Sequence, residues 1–440
     1  MIKICDAIMG SGKSQAAIAY MNANPDKRFV YITPYLPEAK RIKDGCPSLH
    51  FVEPSKKLGE YNWSKIRHTT ALLEEGRNIT STHQAFLGYG DDTLEIIRRM
   101  GYTLIIDENI NTLQKKDDIT DGDIRLLVES GHVQAFDDHC ELIKDMEYNT
   151  KYDKLISIMR GRDLIRIDNK KKNGRYFYWN MPADFVTAFD DVIVLTYMFE
   201  TGGLYCTFEM NNVEYKKIGV ERTEDGGFFF SDGGGYIPNY VKTLRDKIHV
   251  LDSAKLNYVG KNDNALSMSW FKKKANRDKV EQLRKNINNF FRNICSDSTV
   301  YDRMWGTYGS NDDSDIEDDE SPTTAKFMLR GKGYTNEHVA WNARATNEYR
   351  HKKYLAYCVN IFMNVGEKDF YRKHGVEIDE DAYALSTMIQ WIWRSAIRDG
   401  KEIWIYIPSR RMRTLLINWM DSLAEGTENT FEEGGETDAM

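Results

Sequence analysis

The sequence predicts an α/β fold built on parallel sheet, and three observations carry that expectation. Short apolar runs of strand character, "IKICD", "VYITPY", "NITSTHQAF" and "YTLIIDENI", each end in Thr, Ser, Pro or acidic residues. Helix-forming stretches separate them, beginning with "SQAAIAYM" directly after the first run. The turn between that strand and that helix is rich in glycine. Strand and helix alternating in this way give a parallel sheet whose ligands sit at the C-terminal ends of the strands.

The first turn, "AIMGSGKS" (Ala7–Ser14), has the spacing of a phosphate-cradling loop, with alanine where the first glycine usually stands. Gly10 and Gly12 let the backbone N–H groups turn inward, and the helix that follows aims its positive end at the same anion. Ser11 and Gln15 complete the expected nucleotide contacts. Lys13 is placed to reach the β- and γ-phosphates, and the Ser14 hydroxyl to hold Mg²⁺. A Gly-Ser turn that merely precedes a helix would share the spacing, but not the strand–loop–helix setting.

Further along, "TLII" ends in Asp107-Glu108, where an aspartate would hold Mg²⁺ and the adjacent glutamate would polarise an attacking water. An acidic turn after a strand is common by itself; paired with the Lys13 loop it points to ATP chemistry.

At 440 residues and 41% hydrophobic, the chain is long enough for two or three domains with their own cores. Six cysteines without metal-type spacing read as reduced thiols of a cytoplasmic protein. No apolar run has the length of a membrane span, so no membrane partner is expected. The formal charge of −7 is unevenly spread. Acid gathers in Asn311–Glu320 and in the tail Glu425–Met440, both expected to be disordered. Base gathers in Arg160–Arg175 and Phe271–Lys285, beside the aromatics of "RYFYWN" and "SWF". Cations interleaved with rings suit single-stranded nucleic acid, although a solvated helix face would have the same composition.

In "STMIQWIWRSAIRDGKEIWIYIPSRRM", Gln390, Arg394 and Arg398 recur every fourth residue, which predicts one helix face ending at Gly400. The expected continuation is a strand, "EIWIYI", and a helix starting at Pro408-Ser409. Two guanidiniums on one face could stabilise charge on a transferring phosphoryl group.

Taken in order, "MGSGKS", "ITP", "STHQAF", "IIDE" and "QWIWRSAIRDG" resemble motifs I, Ia, Ib, II and VI of superfamily 2 helicases, and more narrowly the DNA helicases of tailed bacteriophages, distantly similar to herpesvirus origin-binding helicases. "VIVLTYMFE" (Val192–Glu200) resembles motif III. The resemblance implies two RecA-like lobes in tandem, binding ATP and Mg²⁺ between them, with an accessory region of uncertain fold. Lys13, Ser14, Asp107 and Glu108 carry over from the first lobe, and Gln390, Arg394 and Arg398 from the second. Thr33, Thr82 and His83 would line a nucleic-acid path, and Thr196 would couple the lobes. Arg344 and Thr346 in "NARATN" are the best match to motif V, with Asp379 a rival. "DENI" departs from the common forms of motif II, and "LTYMF" lacks the usual Ser-Ala-Thr of motif III, which bears on how hydrolysis couples to movement.

The expected organisation is a first lobe over 1–200, the start of a second lobe with an insertion and the acidic loop over 201–325, the rest of that lobe over 326–424, and a tail over 425–440. The implied activity is ATP-driven translocation along single-stranded or forked DNA, with RNA an alternative track and replication proteins as partners. Remodelling of protein–DNA complexes without unwinding is the alternative. A terminase-like motor would need a nuclease domain with clustered carboxylates, and a phosphate-loop kinase would have no use for the C-terminal arginines.

Overall fold

The computed structural model describes residues 1–34, 36–55, 65–116, 118–144, 152, 155–156, 159, 164–169, 174–233, 235–309, 324–342 and 348–425. Asn311–Glu320, residues 426–440, Arg344 and Thr346 lie outside the described residues. The chain divides into two units, Met1–Tyr236 with Met363–Asp379, and Ile237–Phe362 with Glu380–Met440.

The strands of the first unit are, in chain order, β1 (Ile2–Asp6), β2 (Arg28–Thr33), β3 (Ile79–Thr82), β4 (Tyr102–Asp107), β5 (Leu113–Lys115), β6 (Val133–Ala135), β7 (His139–Leu142), β8 (Leu164–Asn169), β9 (Gly174–Asn180), β10 (Asp191–Thr196), β11 (Lys216–Arg222) and β12 (Phe228–Ser231). Its main sheet runs β12-β11-β1-β10-β4-β2-β3. Every pairing is parallel except the terminal β11–β12 hairpin. Because side chains alternate across a strand, its apolar runs feed two cores at once. Ile4, Val30, Ile32, Leu104, Ile106, Val192 and Val194 enter one. Cys5, Phe29, Tyr31, Ile105, Ile193 and Leu195 enter the other. Each fully buried Ile, Leu or Val contributes about 1.5–3 kcal/mol. The helix Asp91–Met100 shows how the crossovers are punctuated: Asp91 and Asp92 open it, Arg98 and Arg99 close it, and Gly101 follows at φ 68°.

A second sheet of the first unit, β5-β9-β8-β7-β6, is antiparallel throughout and is inserted between β4 and β10. Met363–Asp379 completes it: Phe370, Tyr371 and Val376 pack with Leu113, Ile167 and Tyr178.

The second unit contains β13 (Ile248–Val250), β14 (Arg303–Gly306), β15 (Tyr354–Tyr357) and β16 (Ile403–Tyr406), ordered β13-β16-β15-β14 and parallel in every pair. The fold class is therefore the expected α/β, with a wholly or largely parallel sheet in each unit. The boundaries differ. The first lobe does not stop at residue 200, because β11 pairs with β1 in the register Ile4↔Lys217. Residues 201–325 hold the end of one sheet and the start of the other; the inserted sheet lies at 113–180 instead.

Gly260 fixes one close approach in the second unit. A Cβ there would lie 1.9 Å from the Pro408 carbonyl oxygen and 2.8 Å from the Ser409 nitrogen. Both are backbone atoms and cannot swing aside, so Gly260→Ala should cost about 3 kcal/mol. Denaturant unfolding of this variant checks it; an unchanged midpoint would mean that the two segments separate freely.

Candidate phosphate-binding site

Residues 7–12 join β1 to the helix Lys13–Ala23. The Ala7 N–H donates to the Thr196 carbonyl at 3.0 Å, which ties the loop to the end of β10. Gly10 and Gly12 stand at φ 79° and 91°, in the left-handed region that favours glycine. Gly12 is required for space as well, since a Cβ would fall 2.2 Å from the Phe228 ring. The Ser11 hydroxyl is fully buried and makes no hydrogen bond among the described residues. The helix begins without a side-chain cap and with no acidic residue in its first turn, which leaves its positive end facing the loop.

Lys13 folds back over this loop, its Nζ donating to the carbonyls of Ala7 and, at 3.1 Å, Ile8. Burial lowers the pKa of its ammonium, while Cys5, Asp6, Glu108 and Asp107 work against that shift. The same burial pushes the Cys5 thiol up to about 12. All six cysteines are free and buried.

The carboxylates arrive by strand register. β10 lies between β1 and β4, with Asp6 level with Thr196 and Leu195 level with Asp107. The lysine loop and the acidic pair therefore emerge at one edge of the sheet. Tyr31 donates its hydroxyl to Asp107 Oδ2 at 2.9 Å, and His83 Nε2 donates to the Asp107 carbonyl at 2.8 Å. Burial and the neighbouring Glu108 charge raise the Asp107 carboxyl to about 6, against the Tyr31 hydrogen bond. Glu108 takes φ 66° and donates its N–H to Leu195 O at 2.8 Å. Asp6, raised by burial, accepts from the Phe199 N–H at 2.9 Å.

Gly10, Ser11, Gly12, Lys13, Asp107 and Glu108 thus share one edge. Half-buried Ser14 and exposed Gln15 follow in the helix's first turn. Thr33 is fully buried and cannot line a path as it stands, because it closes β2 inside the sheet. The Thr82 hydroxyl caps the helix His83–Phe86 by accepting from Ala85 N at 3.3 Å. Thr196 is buried at the end of β10. Asp379 is exposed.

Gln390, Arg394 and Arg398 do not share one helix face. The helix Glu380–Ile392 ends before both arginines, and Ser395 in extended conformation caps a separate short turn, Ala396–Asp399, closed by Gly400 at φ 68°. The Ser395 hydroxyl accepts from Ile397 N, so the residue breaks the run that the spacing implied. Arg394 is buried and Arg398 exposed. The Ala396 N–H donates to Lys352 O at 2.9 Å, just before β15, which puts this turn at the N-terminal edge of the second sheet.

Tyr31, Asp6 and Phe228 are the residues here that motif reading passes over. An Asp-Gly turn in "ERTEDGGFFF" is the signal that marks the hairpin carrying Phe228. Among the described residues no group of three or more His, Cys, Asp or Glu could hold a metal by itself, and no helix is long and apolar enough to cross a membrane.

This geometry defines a class: a parallel α/β protein with a glycine loop and a strand-end acidic pair, suited to holding an anion and a cation together. The family follows from comparison. Residues 242–420 match the model of the YonV C-terminal Rossmann-like domain. The chain is 34% identical over 430 residues to the SPbeta prophage-derived uncharacterized protein YonV of Bacillus subtilis (strain 168), covering 96% of this chain and 99% of that one. It belongs to the YonV family. Among solved structures it overlaps one titled XPD_Helicase, at TM-score 0.43 and 10% identity over 98% of this chain and 95% of that one. It also overlaps S. tokodaii Xpd4, at TM-score 0.41 and 12% identity over 95% and 93%.

Proposed function

We propose that this chain is an ATP-dependent nucleic-acid motor of the helicase type, moving along single-stranded DNA. The observation that supports it is the placing of the Lys13 loop and the Asp107–Glu108 pair at one sheet edge, set by the β1–β10–β4 register. The residues fit the group expected of them: two left-handed glycines, a half-buried lysine, an orphaned serine hydroxyl and a carboxylate pair. Gly10, Ser11, Gly12, Lys13 and Gln15 would hold the ATP phosphates, and Ser14 with Asp107 the Mg²⁺ that offsets their charge. Glu108 takes the proton of the attacking water. The proposal also gives Gln390, Arg394 and Arg398 a part in turnover, and Thr196, Thr82, His83, Arg344 and Thr346 a part in coupling and grip on the strand. Contacts mainly to phosphate make binding salt-dependent and weakly sequence-dependent. The prophage origin in the relative's name supports a phage-encoded protein; a role in DNA replication or recombination within the host cytoplasm is part of the proposal.

The test is ATP hydrolysis with and without single-stranded DNA or RNA. Stimulation by DNA of at least about tenfold is expected, with Arg398→Ala lowering turnover on the order of 10²- to 10³-fold. Hydrolysis indifferent to every nucleic acid would defeat the motor reading. Hydrolysis stimulated by DNA without strand displacement would favour the remodelling alternative.

A further inference from the structure

The β11–β12 hairpin does more than extend a sheet. It turns through Thr223–Gly227, with Gly226 at φ 91°, and lays β12 beside the helix Lys13–Ala23, where Phe230 meets Tyr20 at 6.1 Å. At the loop end of that helix, the Phe228 ring lies against Gly12 closely enough to forbid a side chain there. The Arg222 guanidinium stands 5.9 Å from the centres of both the Phe228 and Tyr236 rings, which are 5.8 Å apart at 63°. Arg222 is exposed, and both rings are half-buried.

Rings contribute little to holding phosphate. As plain core packing, the cluster would have no need of an exposed guanidinium. What a triphosphate brings with it is a flat heteroaromatic base, and rings and guanidinium planes are the surfaces on which bases stack. We infer that Phe228, Arg222 and Tyr236 form the base subsite for the nucleotide whose phosphates the glycine loop holds, an assignment that rests on the ATP-binding reading above. A stacking subsite reads the face of a base and not its edge. ATP and GTP should therefore bind alike, with pyrimidine nucleotides weaker.

Calorimetric binding of Mg-ATP and of inorganic triphosphate to the full chain tests this. Phe228→Ala should weaken ATP about tenfold, the usual effect of losing one base–aromatic stack, and leave triphosphate within about twofold. Phe228→Tyr should restore ATP binding. Arg222→Ala, a surface change that leaves the fold intact, should weaken ATP about threefold and triphosphate not at all. Equal loss of ATP and triphosphate in Phe228→Ala would show that the ring only props the loop, and unchanged ATP binding in both variants would equally overturn the assignment. Wild-type protein binding neither ligand would instead remove the nucleotide reading, and this subsite with it.

Discussion

Replacing Lys13 by alanine should lower ATP turnover on the order of 10²- to 10³-fold, the cost of removing one preorganised donor from a transferring phosphoryl group. Its Nζ already sits at the mouth of the loop, held by the Ala7 and Ile8 carbonyls. An incoming phosphate would therefore find the cation in place and need only exchange neutral carbonyl partners for charged oxygens, which makes the stronger bond. Lys13→Arg should fail almost as badly, since a planar fork cannot replace a compact ammonium in so tight a turn. Steady-state hydrolysis measures both. A Lys13→Ala protein that keeps its turnover would place the chemistry elsewhere in the chain.

Asp107→Asn should separate function from stability. Turnover should fall by about 10³-fold, because the amide cannot offer Mg²⁺ a charged oxygen, yet the variant should unfold at a higher temperature than wild type. The carboxyl is raised from 3.8 to about 6 in the folded protein, so the fold binds that proton more tightly than the unfolded chain does. An ionised Asp107 therefore costs stability, on the order of 2–3 kcal/mol. That cost is fully present above about pH 6, shrinks as pH falls toward 4, and is absent below the unfolded value. Asparagine keeps an acceptor for Tyr31 and removes the charge, so the thermal gain should be large at pH 7.5, about half as large at pH 5 and small at pH 4. A variant less stable than wild type at pH 7.5 would show that the charge is compensated in the folded state.

These effects depend on features that differ in how far they can be read from the chain alone. The glycine loop and the acidic pair are local: each is written within a few consecutive residues, and continuous apolar strands before them allow few other settings. What brings them level is long-range, the insertion of β10 between β1 and β4, and only the strand–helix alternation hints at it. The strands Leu164–Asn169 and Gly174–Asn180 pair antiparallel, but the density of cations in this stretch points to charge more strongly than to strand. Four-residue spacing put Gln390, Arg394 and Arg398 on one helix face, and a single serine was enough to stop the helix. A side chain that competes for backbone hydrogen bonds outweighs periodicity over so short a stretch. The contact of Phe228 with Gly12 spans more than two hundred residues, and no local rule foretells it.

The return of Met363–Asp379 to the first unit has a bearing on how the protein is made. Phe370, Tyr371 and Val376 fill the apolar layer against Leu113, Ile167 and Tyr178, and the Tyr178 hydroxyl donates to Asn364 at 3.3 Å. When the ribosome has finished residue 236, the first unit still lacks this strip. At ordinary elongation rates the missing segment follows on the order of ten seconds later. Through that interval the inserted sheet waits with its apolar face uncovered, a natural station for a chaperone, and the two units must mature together instead of one after the other.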